Sequence, residues 1–176
     1  MIFKNRAAAA PCYLFAHQAE PMPKNVTTQD AATACACQKV RIAARAVTRA
    51  YDQALRPVGL RSTQFTVLVA ASLAAGIPLN QLATLLGLER TTLTRSLDGI
   101  EKEGLIQVES VDGRTRNVAL TQRGKDRLEL ALPLWNQAQQ NLRERLGEQG
   151  WAMVNDGLAR LAEAAEGDSM ISLHIR

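Results

Sequence analysis

Between Leu79 and Thr121 the apolar pattern changes period abruptly, with no linker between the two regimes, and few folds accommodate that change. Asn80 is a good cap for a short helix with Leu82, Leu85 and Leu86 inside, and Gly87 stands where a left-handed residue ends such a helix. A further helix follows almost at once, from about Glu89 to Glu103, and Gly104 closes it. Two helices joined by a very short turn containing Gly form a helix-turn-helix arrangement. The pattern then alternates over Leu105 to Ser110 and Arg116 to Thr121, with Ile106, Val108, Val118 and Leu120 apolar. Val111-Asp112-Gly113-Arg114-Thr115 lies between these runs, and Asp-Gly there predicts a β-hairpin, because Gly tolerates positive φ.

Helices flank this unit on both sides. Val40, Ala43, Ala44, Val47, Tyr51, Ala54 and Leu55 recur at three- and four-residue steps, and Pro57 ends the helix. Lys39, Arg41, Arg45, Arg49 and Arg56 decorate its other faces. A second helix is capped by Ser62 or Thr63, buries Phe65, Leu68 and Val69, and stops near Gly76, with Pro78 barring continuation. After Thr121 a long helix carries Leu128, Leu132, Trp135, Ala138, Leu142 and Leu146, and Pro133 should kink or split it. A last helix spans about Glu148 to Glu163, with Trp151, Val154, Leu158 and Leu161 inside. The expected layout is an unstructured extension over 1–33 and a dimerisation helix over 34–60. A winged helix-turn-helix follows over 61–122, then C-terminal dimerisation helices over 123–166 and a frayed tail over 167–176. The fold class is mainly α with a small β-hairpin wing. The terminal helices carry more apolar surface than the middle unit can cover, so a second copy of the chain is the expected partner.

Composition agrees with helices packed on helices. Of 176 residues, 47% are hydrophobic and only 4% aromatic. A formal net charge of +4 permits nucleic acid or an anionic membrane as partner without selecting either. No apolar run is long enough to cross a bilayer. Lys4 and Arg6 precede a short Ala-rich stretch, but Pro11, Cys12 and His17 break it and no clean cleavage signal follows. The reading is a cytoplasmic protein with no membrane partner, starting at Met1 or Met22.

The helix from Glu89 to Glu103 carries the functional expectation. Leu93, Leu97 and Ile100 share one face, and Thr91 and Arg95 point nearly opposite at about 100° per residue. Thr92 and Thr94 flank them, and Arg90 opens the helix. A guanidinium has the fork that bonds guanine O6 and N7 together, while Thr hydroxyls and methyls suit phosphates, bases and thymine. The acids Asp98, Glu101 and Glu103 come later. Thr is a poor helix former, so three in one exposed turn call for a reason. Arg114 and Arg116 sit on the hairpin, suited to the adjacent minor groove or backbone, with Asp112 placed to hold Arg114. The DNA-contacting set is therefore Arg90, Thr91, Thr92, Thr94, Arg95, Arg114 and Arg116, with Asp112 as wing support.

These stretches together resemble the MarR family of winged-helix regulators, over about residues 35–165. The resemblance rests on Leu82-Ala83 to Leu88, Arg90-Thr91-Thr92-Leu93-Thr94-Arg95 and Glu103-Gly104-Leu105-Ile106. It extends to Asp112-Gly113-Arg114 with Val118, Leu120-Thr121 and Gly124. It implies a homodimer joined through its terminal helices, with recognition helices in successive major grooves of a pseudo-palindromic operator on double-stranded DNA. It also implies repression relieved by a small-molecule effector, bound in the cleft near the first, second and long helices, or by thiol oxidation. Glu89 departs from the Asp that many relatives place at this cap, and caps less well.

Cys12, Cys35 and Cys37 make no secreted disulfide framework. By the resemblance, Cys37 falls where the organic-hydroperoxide-sensing branch keeps its reactive cysteine. The tyrosines that partner it there are replaced by Arg41 and Ser62. In one continuous helix the Cys35 and Cys37 thiols would point about 200° apart, so pairing needs another subunit or a segment before the helix begins. They read as ordinary cysteines, with redox sensing as the alternative. His17 and His174 with two Cys give no ligand spacing, so no metal site is expected. No catalytic residue and no cofactor are assigned. The expectation is a sequence-specific regulator and not an enzyme. The alternatives are a cysteine-based thiol peroxidase-like enzyme, or a winged-helix adaptor that binds protein.

Overall fold

The computed structural model describes residues 25–73, 76–110 and 115–166. Two compact units divide the chain, residues 1–41 and 42–176. In the first, α1 spans Thr28–Ala34. Thr27 and Asp30 form a capping box: Asp30 N–H donates to Thr27 Oγ1 at 3.2 Å, and Thr27 N–H to Asp30 Oδ2 at 2.9 Å. This helix lies within the stretch expected to be an unstructured extension. Its cap signal is the Thr27-x-x-Asp30 spacing, and its lack of any buried residue left no period to read. Cys35 follows with φ −59° and ψ 109°, and α2 spans Ala36–Leu55. The break at Cys35 differs from the continuous helix expected from Ala34.

A 3₁₀ turn, Arg56–Val58, continues from α2 with Pro57 in its first turn. Helix α3 spans Ser62–Ser72. Its N-cap is Arg61, not Ser62 or Thr63, and the capping acceptor comes from outside the segment. Asp52 Oδ1 on α2 accepts from Ser62 N–H and Ser62 Oγ, both at 2.7 Å. Strand β1 is only Ile77–Pro78, too short to show a period, and was not expected. Pro78, not Asn80, is the N-cap of α4, Leu79–Leu85. The helix starts one residue before Asn80 because Pro78 already supplies the extended entry, and Leu79 is drawn into the core.

Gly87 joins α4 to α5, Arg90–Lys102, with φ 60°. Its N–H donates to Thr84 O at 3.1 Å, and Leu88 N–H to Ala83 O at 2.9 Å, which is the Schellman closure that needs a left-handed residue. Strands β2, Ile106–Ser110, and β3, Arg116–Leu120, follow. Both are antiparallel, with Val108 opposite Val118, and β1 adds to the far side of β3. The wing is therefore a three-stranded sheet, not a bare hairpin.

The helical run α6, Gln122–Glu166, is broken at Gly147, φ 67° and ψ 165°. The run is not split at Pro133, and the break at Gly147 falls just before the last helix expected from about Glu148. From Gly124 to Gln139, α6 is pinned to the rest of its unit. Gly124 packs on the backbone after α5, where a Cβ would lie 1.9 Å from Leu105 O. Arg127 Nη1 donates to Val58 O at 2.6 Å. Leu128 and Ala131 enter the core, Trp135 stacks on Phe65 at 6.0 Å, and Tyr51 Oη donates to Gln139 Oε1. The core beneath is apolar throughout, built from Leu55, Leu68, Leu82, Leu93, Ile100 and Val118 with their neighbours. Beyond Gly147 the picture reverses. Met153, Val154, Leu158 and Leu161 are all exposed, as are Ile42 and Val47 on α2. Among the described residues, no helix is long and apolar enough to cross a membrane.

Candidate nucleic-acid interface

Leu93, Leu97 and Ile100 are buried and fix the rotation of α5 about its own axis. Arg90, Thr91, Thr92 and Arg95 are consequently exposed, and Thr94 is half-buried. The Thr94 hydroxyl donates to Arg90 O at 2.9 Å and Ser96 Oγ to Thr92 O at 3.1 Å. The Thr94 proton is thus committed to its own helix, leaving its oxygen to accept. Glu89 is the N-cap and makes no side-chain capping bond, so the first-turn N–H groups are open to an outside acceptor.

Two carboxylates at the C-terminal end of α5, Glu101 and the C-cap Glu103, have structural uses. Glu101 Oε1 accepts from Val108 N–H at 3.1 Å, holding β2 to the helix. Glu103 Oε1 accepts from Gln64 Nε2 at 3.0 Å, holding α3. The exposed N-terminal half of α5 carries two arginines and several hydroxyls, and neither Arg90 nor Arg95 is tied up in a salt bridge among the described residues.

Arg116 opens β3 opposite Ser110 and is exposed at the wing. Asp112 and Arg114 lie outside the described residues, as does Cys12. Cys35 and Cys37 are free thiols, both exposed. Cys35 stands at the break between α1 and α2, so the two cysteines do not share one helix and the angular separation expected of a continuous helix does not apply. Among the described residues no group of three or more His, Cys, Asp or Glu could hold a metal ion.

A cleft of about 690 Å³ that the sequence did not reveal lies beside α5, lined by Asp52, Arg56, Arg61, Gln64, Ser96 and Glu103 among others. Its walls come from α2, the 3₁₀ turn, α3 and α5, so no local motif announces it. The carboxyl of Asp52 sits below its ordinary range, chiefly because Ser62 N–H donates to it and then because the Ser62 hydroxyl does, with a smaller effect of Arg61. Asp52 and Glu103 are engaged with Ser62 and Gln64, whereas Arg56 and Arg61 make no salt bridge among the described residues.

The MarR family model matches residues 60–115, from the end of the 3₁₀ turn to the wing. The M. tuberculosis transcriptional regulator MosR is 40% identical, with 75% of this chain aligned to 96% of that one and a TM-score of 0.66. The chain belongs to the MarR family. MosR has also been solved in complex with DNA, and that structure is 39% identical over 75% of this chain and 98% of its own, with a TM-score of 0.64. A mutant E. coli MarR complexed with operator DNA shares the fold alone, at 22% identity, 78% and 100% coverage and a TM-score of 0.69. Comparison with curated proteins gives no match. This MarR-family chain is thus a transcriptional regulator with a winged helix-turn-helix fold, in which α4 and α5 are the two helices of the motif and β2–β3 the wing.

Proposed function

We propose that the chain is a homodimeric, sequence-specific DNA-binding repressor that reads a pseudo-palindromic operator in the cytoplasm. The observation that carries this reading is the exposed face of α5. Arg95 is the base reader, Thr91 and Thr92 supply hydroxyls and methyls, and Arg90 and the open helix N-terminus take a backbone phosphate. Thr94 accepts only. Arg116 and Arg114 bind backbone or minor groove from the wing, with Asp112 holding Arg114. The relative MosR, solved with DNA, supports the assignment. The exposed apolar residues of α2 and of the segment after Gly147 support a dimer.

Selection of bound duplexes from random DNA, with reductant present, tests the reading. A two-fold-symmetric site with half-sites about one helical turn apart is the expected product. No enrichment at low salt would remove the DNA-reading assignment.

Two routes for relieving repression fit the geometry. An effector with an anionic group suits the cleft beside α5, where Arg56 and Arg61 face a helix that must keep its position on DNA. Thiol oxidation is favoured by Cys35 at a helix break. There a hydroperoxide would oxidise one thiol to the sulfenic acid, releasing alcohol, and attack by the second thiol would release water and close a disulfide. Peroxide should then weaken operator binding and Cys37→Ser should abolish that response. A variant as sensitive as the wild type rules out the thiol route and leaves the cleft.

A further inference from the structure

We propose that Gln64 is a positioning residue for α5, tying its C-terminal end through α3 to α2 and so setting the half-site spacing that a dimer accepts. The inference rests on the dimeric DNA-reading proposed above. A chain of hydrogen bonds carries it. Asp52 of α2 holds the first turn of α3 through Ser62 N–H and Ser62 Oγ, both at 2.7 Å. In that same turn Gln64 Oε1 accepts from Arg61 N–H at 2.9 Å, which fixes the orientation of the amide and leaves its nitrogen as the free end. Gln64 Nε2 then donates to Glu103 Oε1 at 3.0 Å, on the C-cap of α5.

Glu103 does not stand where local electrostatics would put a carboxylate. The last turn of a helix is its negative end, where an acid is disfavoured. Among the described residues Glu103 has no salt bridge to offset that, and its carboxylate is held by Gln64. The other ties of α5 lead to its neighbours along the chain. It packs chiefly on α4 and β2, and Glu101 binds Val108 of β2. The Gln64–Glu103 bond spans 39 positions and leads towards α2. Asp52, Gln64 and Glu103 all line the cleft of about 690 Å³ beside α5, so this link runs along the wall of an open space. A bond to a charged acceptor is stronger than one between neutral groups, and it aims the helix end in one direction. Without it, each α5 of a dimer would tilt over a wider range, and half-sites at neighbouring separations would bind almost equally.

The test uses the full chain with the selected operator, and with the same operator whose half-sites are moved one base pair closer or farther apart. Fluorescence anisotropy gives the affinities, and the ratio between spacings is the readout. The wild type should prefer the selected spacing. Glu103→Gln keeps an acceptor for Gln64 and Glu103→Met does not, while the two variants carry the same charge. The first should keep the preference and the second lose about fivefold of it. Gln64→Glu sets two carboxylates against each other and should lose the preference too. Adding Glu103→Gln to it should restore the preference, because an amide again faces a carboxylate. A general loss of stability would weaken every duplex alike and leave the ratio unchanged. Gln64 is half-buried, so the charge-matched Glu103 pair carries the test if Gln64→Glu does not fold. No spacing preference in the wild type, an unchanged preference in Glu103→Met, or no restoration by the double substitution would overturn the proposal. A chain that selects no two-half-site operator fails the DNA-binding reading and this inference with it, whereas a preference indifferent to these substitutions fails this inference alone.

Discussion

Gly124 occupies a position that no side chain can share. A Cβ there would lie 1.9 Å from the Leu105 carbonyl oxygen and 3.3 Å from Leu120 Cδ2. The adjoining Thr121 hydroxyl donates to Gly104 O at 2.6 Å and accepts from Gly124 N–H at 3.0 Å, so the turn into α6 is closed by backbone groups on both sides. Gly124→Ala must push α6 away from the backbone at Leu105, between α5 and β2, and is expected to cost on the order of 3 kcal/mol in urea unfolding. An unchanged midpoint would mean that the close approach relaxes freely. Asp52 makes a different residue-scale prediction. Its folded carboxyl titrates below its ordinary value of 3.8, so its contribution to stability is full above that value and is lost as pH falls through the depressed one. Asp52→Asn should therefore be less stable at neutral pH yet lose less stability on acidification, as followed by thermal melts across pH. Parallel pH profiles for the two proteins would assign acid sensitivity elsewhere.

At the scale of elements, α5 and the wing differ in what they are expected to read. Arg95→Ala should lose about 1–3 kcal/mol on the selected operator and little on random duplex. Arg116→Ala should weaken both alike and lower the salt slope by about 1. Equal behaviour of the two variants on both DNAs would show that the base-reading surface is elsewhere. Helix α5 was legible because its signals are local: an apolar triplet at helical spacing, Gly87 before it and Gly104 after it. The strands β2 and β3 were legible from alternation around Asp112-Gly113. What escaped were features fixed by distant partners. Two residues of β1 carry no period, the cap of α3 comes from Asp52 ten positions earlier, and the cleft beside α5 is assembled from segments far apart in sequence. Helix α6 is not split at Pro133, while the boundary expected before Glu148 is present at Gly147, whose backbone conformation is nearly exclusive to glycine.

The whole molecule has a sealed middle and open ends. Every buried residue from Leu55 to Ala131 is apolar, while Met153 at 64% and Leu158 at 53% exposure lie on a helix with no buried residue. In the proposed dimer these residues are covered by the second copy, so Leu158→Glu should convert the protein to monomers in sedimentation equilibrium and abolish binding to a two-half-site operator. A stable dimer from this variant would place the interface outside the C-terminal helix. The Gly124 contact then has a consequence for how such a dimer responds to any signal. Because the wing's base and the root of α6 meet backbone to backbone, the two behave as one leg of a pair of calipers, stiff from point to shank. On the proposed reading, a bound ligand or an oxidised thiol would change the span between the two points. Each point would stay fixed on its own leg, and the first break in the helical shank would be at Gly147, far along the chain from the proposed grip on DNA.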